Sequence, residues 1–160
     1  MLQTLFSDRK DSSEVTTKGY EDALLLVTQA IDKIMTGEGI EQRDLVISKL
    51  LRNGVGNYKS IFPHVAAAIQ LSTQGSSPMR GENIQYIYTN SKHKNPLCRV
   101  IPILTGEKED TLTSYDKEKY CDLLLDAAET VLGYFGFDAD LYRKSENGRN
   151  TINKKRWWVN

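Results

Sequence analysis

The chain has 160 residues, of which 39% are hydrophobic, and its 21 basic and 21 acidic side chains give a net charge of zero. This length suits one domain with room for a second small lobe. No apolar run approaches the roughly 20 residues of a membrane span, and the N-terminus lacks the pattern of a secretory signal. Cys98 and Cys121 are too few for a disulfide framework. We therefore expect a reducing compartment, the cytoplasm and its nucleoid, and no membrane partner.

The neutral total conceals charged blocks along the chain. Residues 43–99 carry a net charge of +6, residues 107–140 carry −7, and residues 141–160 carry +5. Basic blocks of this size can bind phosphates through counterion release. The alternative interpretation is an ordinary solvated surface, and charge alone leaves both open.

The first half of the chain predicts a helix followed by a strand. Apolar residues recur at spacings of three and four from Tyr20 to Ile34, which is typical of an amphipathic helix. Gly37 and Gly39 are expected to end that helix. Residues 44–51 (DLVISKLL) are rich in apolar and β-branched side chains and predict a strand.

The second half predicts a short helix, two strands and a long helix. Pro63 suits the first position of a helix that ends near Gly75, and residues 83–89 and 99–104 are typical of strands. Asp116 is a candidate N-cap for the last long helix. The buried stripe of that helix is predicted to be Tyr120, Leu124, Ala127, Val131 and Phe135. The fold class is α+β, with long helices at both ends flanking a small, mostly antiparallel sheet and a short helix.

The sequence favours binding over catalysis. His64 and His93 have no metal-ligand spacing to a partner, and no nucleophile or nucleotide-binding motif is present. A segment from residue 49 to residue 80 is rich in side chains that can contact phosphates, and the start of its helix adds a partial positive charge. These side chains are Lys49, Arg52, Tyr58, Lys59, His64 and Arg80.

Several motifs resemble the thumb of family-B DNA polymerases. The stretch 57–68 (NYKSIFPHVAAA) is similar to a Tyr-Lys pair followed by Pro-His-Val at a helix start, and residues 80–87 (RGENIQYI) are similar to the strand that follows. Residues 9–13 (RKDSS) resemble the passage from palm to thumb, and residues 115–136 resemble the closing thumb helix with its Phe-Gly end. In order, these motifs cover about residues 9–142.

The resemblance implies that this chain grips primer–template DNA through its phosphates, independently of sequence. Lys49 and Lys59 would pair with phosphates as point charges. Tyr58 would contact a phosphate or a sugar, or else belong to the core, and His64 would contact a phosphate or cap its helix. The DNA-binding residues implied are Arg9, Lys10, Lys49, Tyr58, Lys59, His64, Gly75 and Arg80.

The resemblance also implies domain limits and partners. Residues 1–13 would be the palm-to-thumb segment, 14–142 the thumb, and 143–160 a basic tail without regular structure of its own. The palm motifs that hold two metal ions are absent, so we expect no cofactor in this chain, with Mg²⁺ in a partner palm. That partner would be a larger polymerase subunit carrying palm and exonuclease, separated from this chain by a split gene or by fragmentation.

A sliding clamp is a weakly supported partner. Trp157 and Trp158 can mimic the aromatic pair of a clamp-binding peptide, but Thr151 and Lys154 stand where that peptide has Gln and an aliphatic residue. Two alternative functions stay open. One is a free-standing interaction protein with a thumb-like fold. The other is a small DNA-binding regulator that reads bases with Gln70 and Gln74.

Overall fold

The computed structural model describes residues 12–104 and 114–147, with side chains described for residues 17–104 and 114–144. Its helices and strands are α1 (Ser12–Thr36), α2 (Gln42–Leu45), β1 (Ile47–Leu50), α3 (Pro63–Thr73), β2 (Asn83–Tyr88), β3 (Val100–Pro102), α4 (Lys117–Leu132) and α5 (Ala139–Asn147). Short 3₁₀ turns lie at Val55–Asn57, Pro96–Cys98 and Gly133–Phe135. Among the described helices, none has both the length and the hydropathy that a membrane crossing requires.

The chain divides into two compact units. The central unit runs from Lys33 to Cys121, and the terminal unit combines the residues up to Asp32 with those from Asp122 onward. The central unit contains the three-stranded sheet and α3. The described part of the terminal unit is helical apart from the turns that join its helices.

The sheet of the central unit is antiparallel throughout, in the order β1-β2-β3. Ile47 pairs with Tyr86 across the first two strands, and Tyr88 pairs with Val100 across the next two. The predicted α+β class, with helices and a small antiparallel sheet, is therefore confirmed.

Helix α3 covers one face of this sheet. Its alanines at positions 66, 67 and 68 have no exposed surface, which lets the helix backbone approach the strands closely. The core formed in this way consists of Leu51, Val65, Ala66, Ala67, Ala68, Leu71, Ile84, Tyr86 and Val100. Ile87 points to the opposite face of β2 and is also fully buried, so both faces of the middle strand are covered.

The predicted ends of the helices are confirmed where they depend on local chemistry. Pro63 is the first residue of α3, and Gly75 follows the helix with a φ of +93°. Asp116 caps α4, because its Oδ1 accepts a hydrogen bond from the Lys119 amide at 2.9 Å. Gly37 ends α1 with a φ of +81°.

The strand predicted for residues 44–51 is wrong at its start. Gln42–Leu45 forms the short helix α2, and β1 begins only at Ile47. The cause is a capping box, in which the Asp44 carboxylate accepts a hydrogen bond from the Glu41 amide at 2.9 Å.

The stripe predicted for α4 is also partly wrong. The buried residues of this helix are Tyr120, Leu125 and Ala128, whereas Val131 is 71% exposed. Phe135 does not extend the stripe, because α4 ends at Leu132 and Phe135 lies in the following 3₁₀ turn.

The expected basic tail without regular structure is wrong for residues 143–147, which belong to α5. In the terminal unit, Arg143 pairs with Asp122 and Asp126 of α4 and with Asp140 of α5. These ion pairs hold α5 against α4 and order the start of the segment. Residues 148–160 lie outside the described residues.

Candidate nucleic-acid interface

Two arginines from separate segments meet at the end of the sheet where β1 stops. The Leu51 amide donates to the Glu82 carbonyl at 2.8 Å, and the Gly81 amide donates to the Leu51 carbonyl at 2.8 Å. These two bonds extend the pairing of the strands by one step. Arg52 and Arg80 flank this step in the chain, and both are exposed. Their guanidinium groups therefore project from neighbouring backbone positions.

His64 lies near this end, in the first turn of α3. Its ring is 5.7 Å from the Tyr58 ring, edge to face, and 6.0 Å from the Phe62 ring, stacked. Within the described residues the His64 side chain makes ring contacts and no hydrogen bond, so it does not act as the helix cap. Burial lowers the pKa of His64, and the positive charge of Lys49 lowers the pKa further. Both effects disfavour the charged ring, and a neutral imidazole can still donate one hydrogen bond.

Lys49 and Lys59 add two exposed ammonium groups to this region. Lys49 stands opposite Ile84 in the sheet, and paired residues project from the same face. It therefore lies on the face that α3 covers, consistent with its effect on His64. Lys59 follows Tyr58 directly and is exposed.

Tyr58 belongs partly to the core, one of the two roles that the sequence left open. Its ring is partly buried against the core, while its hydroxyl oxygen accepts a hydrogen bond from the Asn53 amide at 3.1 Å. The hydroxyl keeps its own hydrogen, which can be donated to a phosphate oxygen. We call the whole cluster the 49–80 surface, defined by Lys49, Arg52, Tyr58, Lys59, His64 and Arg80.

The remaining predicted residues are Gly75, Arg9 and Lys10. Gly75 is at the far end of α3 from His64, about 16 Å away along an 11-residue helix. Its amide already donates to the Ser72 carbonyl at 3.3 Å, so we leave Gly75 out of the 49–80 surface. Arg9 and Lys10 lie outside the described residues.

The sequence analysis did not single out Phe62. This side chain is 52% exposed and stacks on His64 at the edge of the basic cluster. Its signal was present as an aromatic residue interleaved with Lys59 and His64, a composition typical of nucleic-acid-binding segments. In residues 12–104 and 114–147, no group of three or more His, Cys, Asp or Glu side chains is arranged to hold a metal ion.

Comparison with known proteins places these features in a family. No protein-family model matches the chain. The DNA polymerase of a Thermococcus species (strain 9oN-7) is 30% identical over 118 residues, which are 73% of this chain and 15% of that protein. The DNA polymerase of Thermococcus kodakarensis is likewise 30% identical over 118 residues, 7% of its length. That of Thermococcus hydrothermalis is 30% identical over 124 residues. The chain thus spans only a small fraction of these relatives.

A solved structure agrees with the sequence comparison. The family B DNA polymerase of the hyperthermophilic archaeon Pyrobaculum calidifontis superimposes with a TM-score of 0.55 at 23% identity, over 66% of this chain and 13% of that one. Fold and sequence together define a protein related to the DNA polymerases. This chain is homologous to a region of the family-B DNA polymerases, and the family resemblance inferred from its motifs is confirmed.

Proposed function

We propose that the chain is the thumb of a family-B DNA polymerase, as a separate subunit or as part of a longer chain, and that it grips primer–template duplex. The observation that carries the proposal is the 49–80 surface. Lys49 and Arg52 lie at the end of β1, and Arg80 comes beside that end through the backbone bond between Gly81 and Leu51. Lys59 follows Tyr58, whose ring contacts His64. Among the residues that the structure describes, none of these four cations makes an ion pair, and exposed cations of this kind suit a polyanion such as the DNA backbone.

The grip is made through phosphates and is independent of base sequence. Lysine and arginine tips at a strand end and a helix start can reach the backbone of a duplex without entering its grooves. Helix α3 is unsuited to reading bases, because its alanine face is buried on the sheet. The Gln70 amide donates to the carbonyls of Leu97 and Val100 at 2.8 and 2.9 Å. Because the Gln70 amide is bound within the protein, this geometry argues against the alternative function of a small DNA-binding regulator that reads bases with Gln70.

Nucleotide transfer in this proposal is supplied by other parts of the polymerase. A palm that carries Mg²⁺ and an exonuclease region are the expected partners, as a larger subunit or as further sequence. A sliding clamp stays possible through residues 151–158, which lie outside the described residues. The chain alone is expected to bind DNA and to incorporate no nucleotides.

The test is the salt dependence of duplex binding. Fluorescence anisotropy with labelled primer–template DNA should show weaker binding for Lys59→Ala and Arg80→Ala, equally for duplexes of unrelated sequence. Each substitution should lower the slope of log K against log salt by about one. Lys18→Ala, an exposed lysine on α1, is the matched control and should change neither quantity. Wild-type affinity and slope in both surface variants would refute the proposal.

A further inference from the structure

A second cationic surface lies at the opposite end of the sheet from the 49–80 surface. The loop between β2 and β3 and the first turn of α4 form it, and neither belongs to the site described above. We call it the 92–119 surface. It consists of Lys92, His93, Lys94, Arg99, Lys117 and Lys119.

Hydrogen bonds made by Asp116 join two segments into this surface. One segment belongs to the basic block 43–99 and the other to the acidic block 107–140. The Asp116 amide donates to the Tyr88 carbonyl at 3.0 Å. Its carboxylate accepts from the Ser91 amide at 2.5 Å and from the Lys119 amide at 2.9 Å. The start of α4 is thereby fastened to the end of β2. Lys117 and Lys119 are cations of the acidic block of the sequence. Nζ of Lys119 lies over the Tyr88 ring at the end of β2, whereas Nζ of Lys117 donates to the Met35 carbonyl at 2.7 Å.

The loop itself is held by its own polar groups. Nδ1 of His93 lies 3.1 Å from the Asn95 amide nitrogen, and the Leu97 amide donates to Oδ1 of Asn95 at 3.0 Å. Nε of Arg99 donates to the His93 carbonyl at 2.7 Å. These bonds fix the backbone from which Lys92 and Lys94 project, and both lysine side chains are exposed. The backbone positions of the two lysines are thus fixed before any ligand binds, which lowers the entropic cost of binding.

The balance of charge on this surface is positive. It has five lysine and arginine side chains against two carboxylates, Asp116 and Glu118, which gives a net charge of +3 from these seven groups. Asp116 is occupied by backbone amides, and Glu118 pairs with Lys92. Nζ of Lys119 lies 5.5 Å from the centre of the Tyr88 ring, and Lys119 makes no ion pair with any residue that the structure describes.

We propose that the 92–119 surface is a second binding site for the phosphate backbone of the same nucleic acid. This inference rests on the proposed function, because it takes the ligand of the 49–80 surface to be duplex DNA. Six residues of β2 separate the two surfaces, which is about 20 Å at 3.3 Å per residue. A duplex advances about 3.4 Å per base pair, so one duplex of moderate length can contact both ends of the sheet. An acidic protein surface is the competing ligand.

The experiment measures binding of the full chain to a duplex of about 20 base pairs over a range of salt concentrations. Lys94→Ala is expected to lower the slope of log K against log salt by about 0.9, and the Lys92→Ala, Lys94→Ala double variant by about 1.8. Glu118→Gln is expected to act in the opposite direction. It removes a negative charge from this surface, so affinity should rise by several-fold.

The outcomes separate the two proposals. Wild-type affinity in Lys94→Ala and Glu118→Gln, together with weakened binding in Lys59→Ala, overturns the second site and leaves the proposed function intact. Wild-type affinity in all three variants overturns both. Wild-type thermal midpoints exclude misfolding as the cause of a change, and Lys18→Ala controls for the loss of one exposed lysine. An acidic protein as the true ligand would give the first of these outcomes.

Discussion

The hydroxyl of Tyr120 donates a hydrogen bond to the carbonyl oxygen of Leu45 at 2.6 Å. The same hydroxyl accepts a hydrogen bond from the Tyr88 amide at 3.1 Å. Ile47 pairs with Tyr86 in the sheet, so Leu45 would stand opposite Tyr88 if the pairing continued for two more residues. Because α2 turns Leu45 out of the strand, the tyrosine hydroxyl bridges the two backbone groups instead.

Removing that hydroxyl should destabilise the protein. Tyr120→Phe leaves the Leu45 carbonyl and the Tyr88 amide without this partner in a buried environment, and we expect a loss of about 1–3 kcal/mol in the free energy of unfolding. Urea denaturation followed by circular dichroism measures it. Tyr134→Phe is the matched control, because Tyr134 is 95% exposed. Equal stability of the two variants would show that the bridge contributes nothing.

Alkaline pH should destabilise the protein through the same residue. Burial raises the pKa of Tyr120 to about 12 from its ordinary value of 10.0. Burial also raises the pKa of Tyr86 and Tyr88. Above pH 10 the unfolded chain releases these protons while the folded chain retains them. The stability is therefore complete below pH 10 and falls as the pH rises toward 12.

Unfolding by urea at several pH values between 8 and 12, with tyrosinate absorbance recorded in parallel, tests this prediction. The decline should be shallower in Tyr120→Phe, which no longer has that titrating group. A decline of the same steepness in the variant would mean that Tyr120 does not contribute to the alkaline instability.

Loss of Arg143 should loosen α5. Its guanidinium lies 3.0 Å from Oδ1 of Asp122 and 3.0 Å from Oδ1 of Asp140, and it also pairs with Asp126. These hydrogen bonds, the one with Asp126 foremost, raise the pKa of Arg143. Because the carboxylates are exposed, we expect Arg143→Ala to cost only about 1 kcal/mol, with faster amide hydrogen exchange in residues 139–147. Arg43→Ala, which breaks one exposed pair with Glu41, should have a smaller effect and leave exchange in α5 unchanged.

Gly75 should prove to be a structural residue. Its φ of +93° is unfavourable for any side chain, although a methyl group there would meet no atom within 4 Å. We expect Gly75→Ala to cost about 1–2 kcal/mol through backbone strain alone, without a change in the salt dependence of DNA binding. Gly56→Ala, where φ is not positive and space is also open, is the matched control for thermal denaturation. A change in the salt slope for Gly75→Ala would restore Gly75 to the DNA-binding residues.

Features that depend on a few neighbouring residues could be predicted from the local sequence. Pro63 at the start of α3, Gly75 after its end and Asp116 at the cap of α4 act through their own backbone geometry or through an amide three residues away. The α+β class and the family resemblance could likewise be predicted, because hydrophobic periodicity and the order of the motifs are properties of the sequence itself.

Features that depend on contacts between residues distant in sequence were visible only in the tertiary structure. Residues 44 and 45 fit a strand by composition, but the capping box between Glu41 and Asp44 makes them part of a helix. The hydroxyl of Tyr120, 75 residues away in sequence, then binds the Leu45 carbonyl that a longer strand would have paired. The buried face of α4 contains Tyr120 and Leu125. Which face of a helix is buried depends on the elements that pack against it. The backbone contact that brings Gly81 beside Leu51, and the hydrogen bond that joins Ser91 to Asp116, required strand pairing and helix docking. Net charge per block cannot reveal such clusters, since a fold brings together residues that the chain keeps apart.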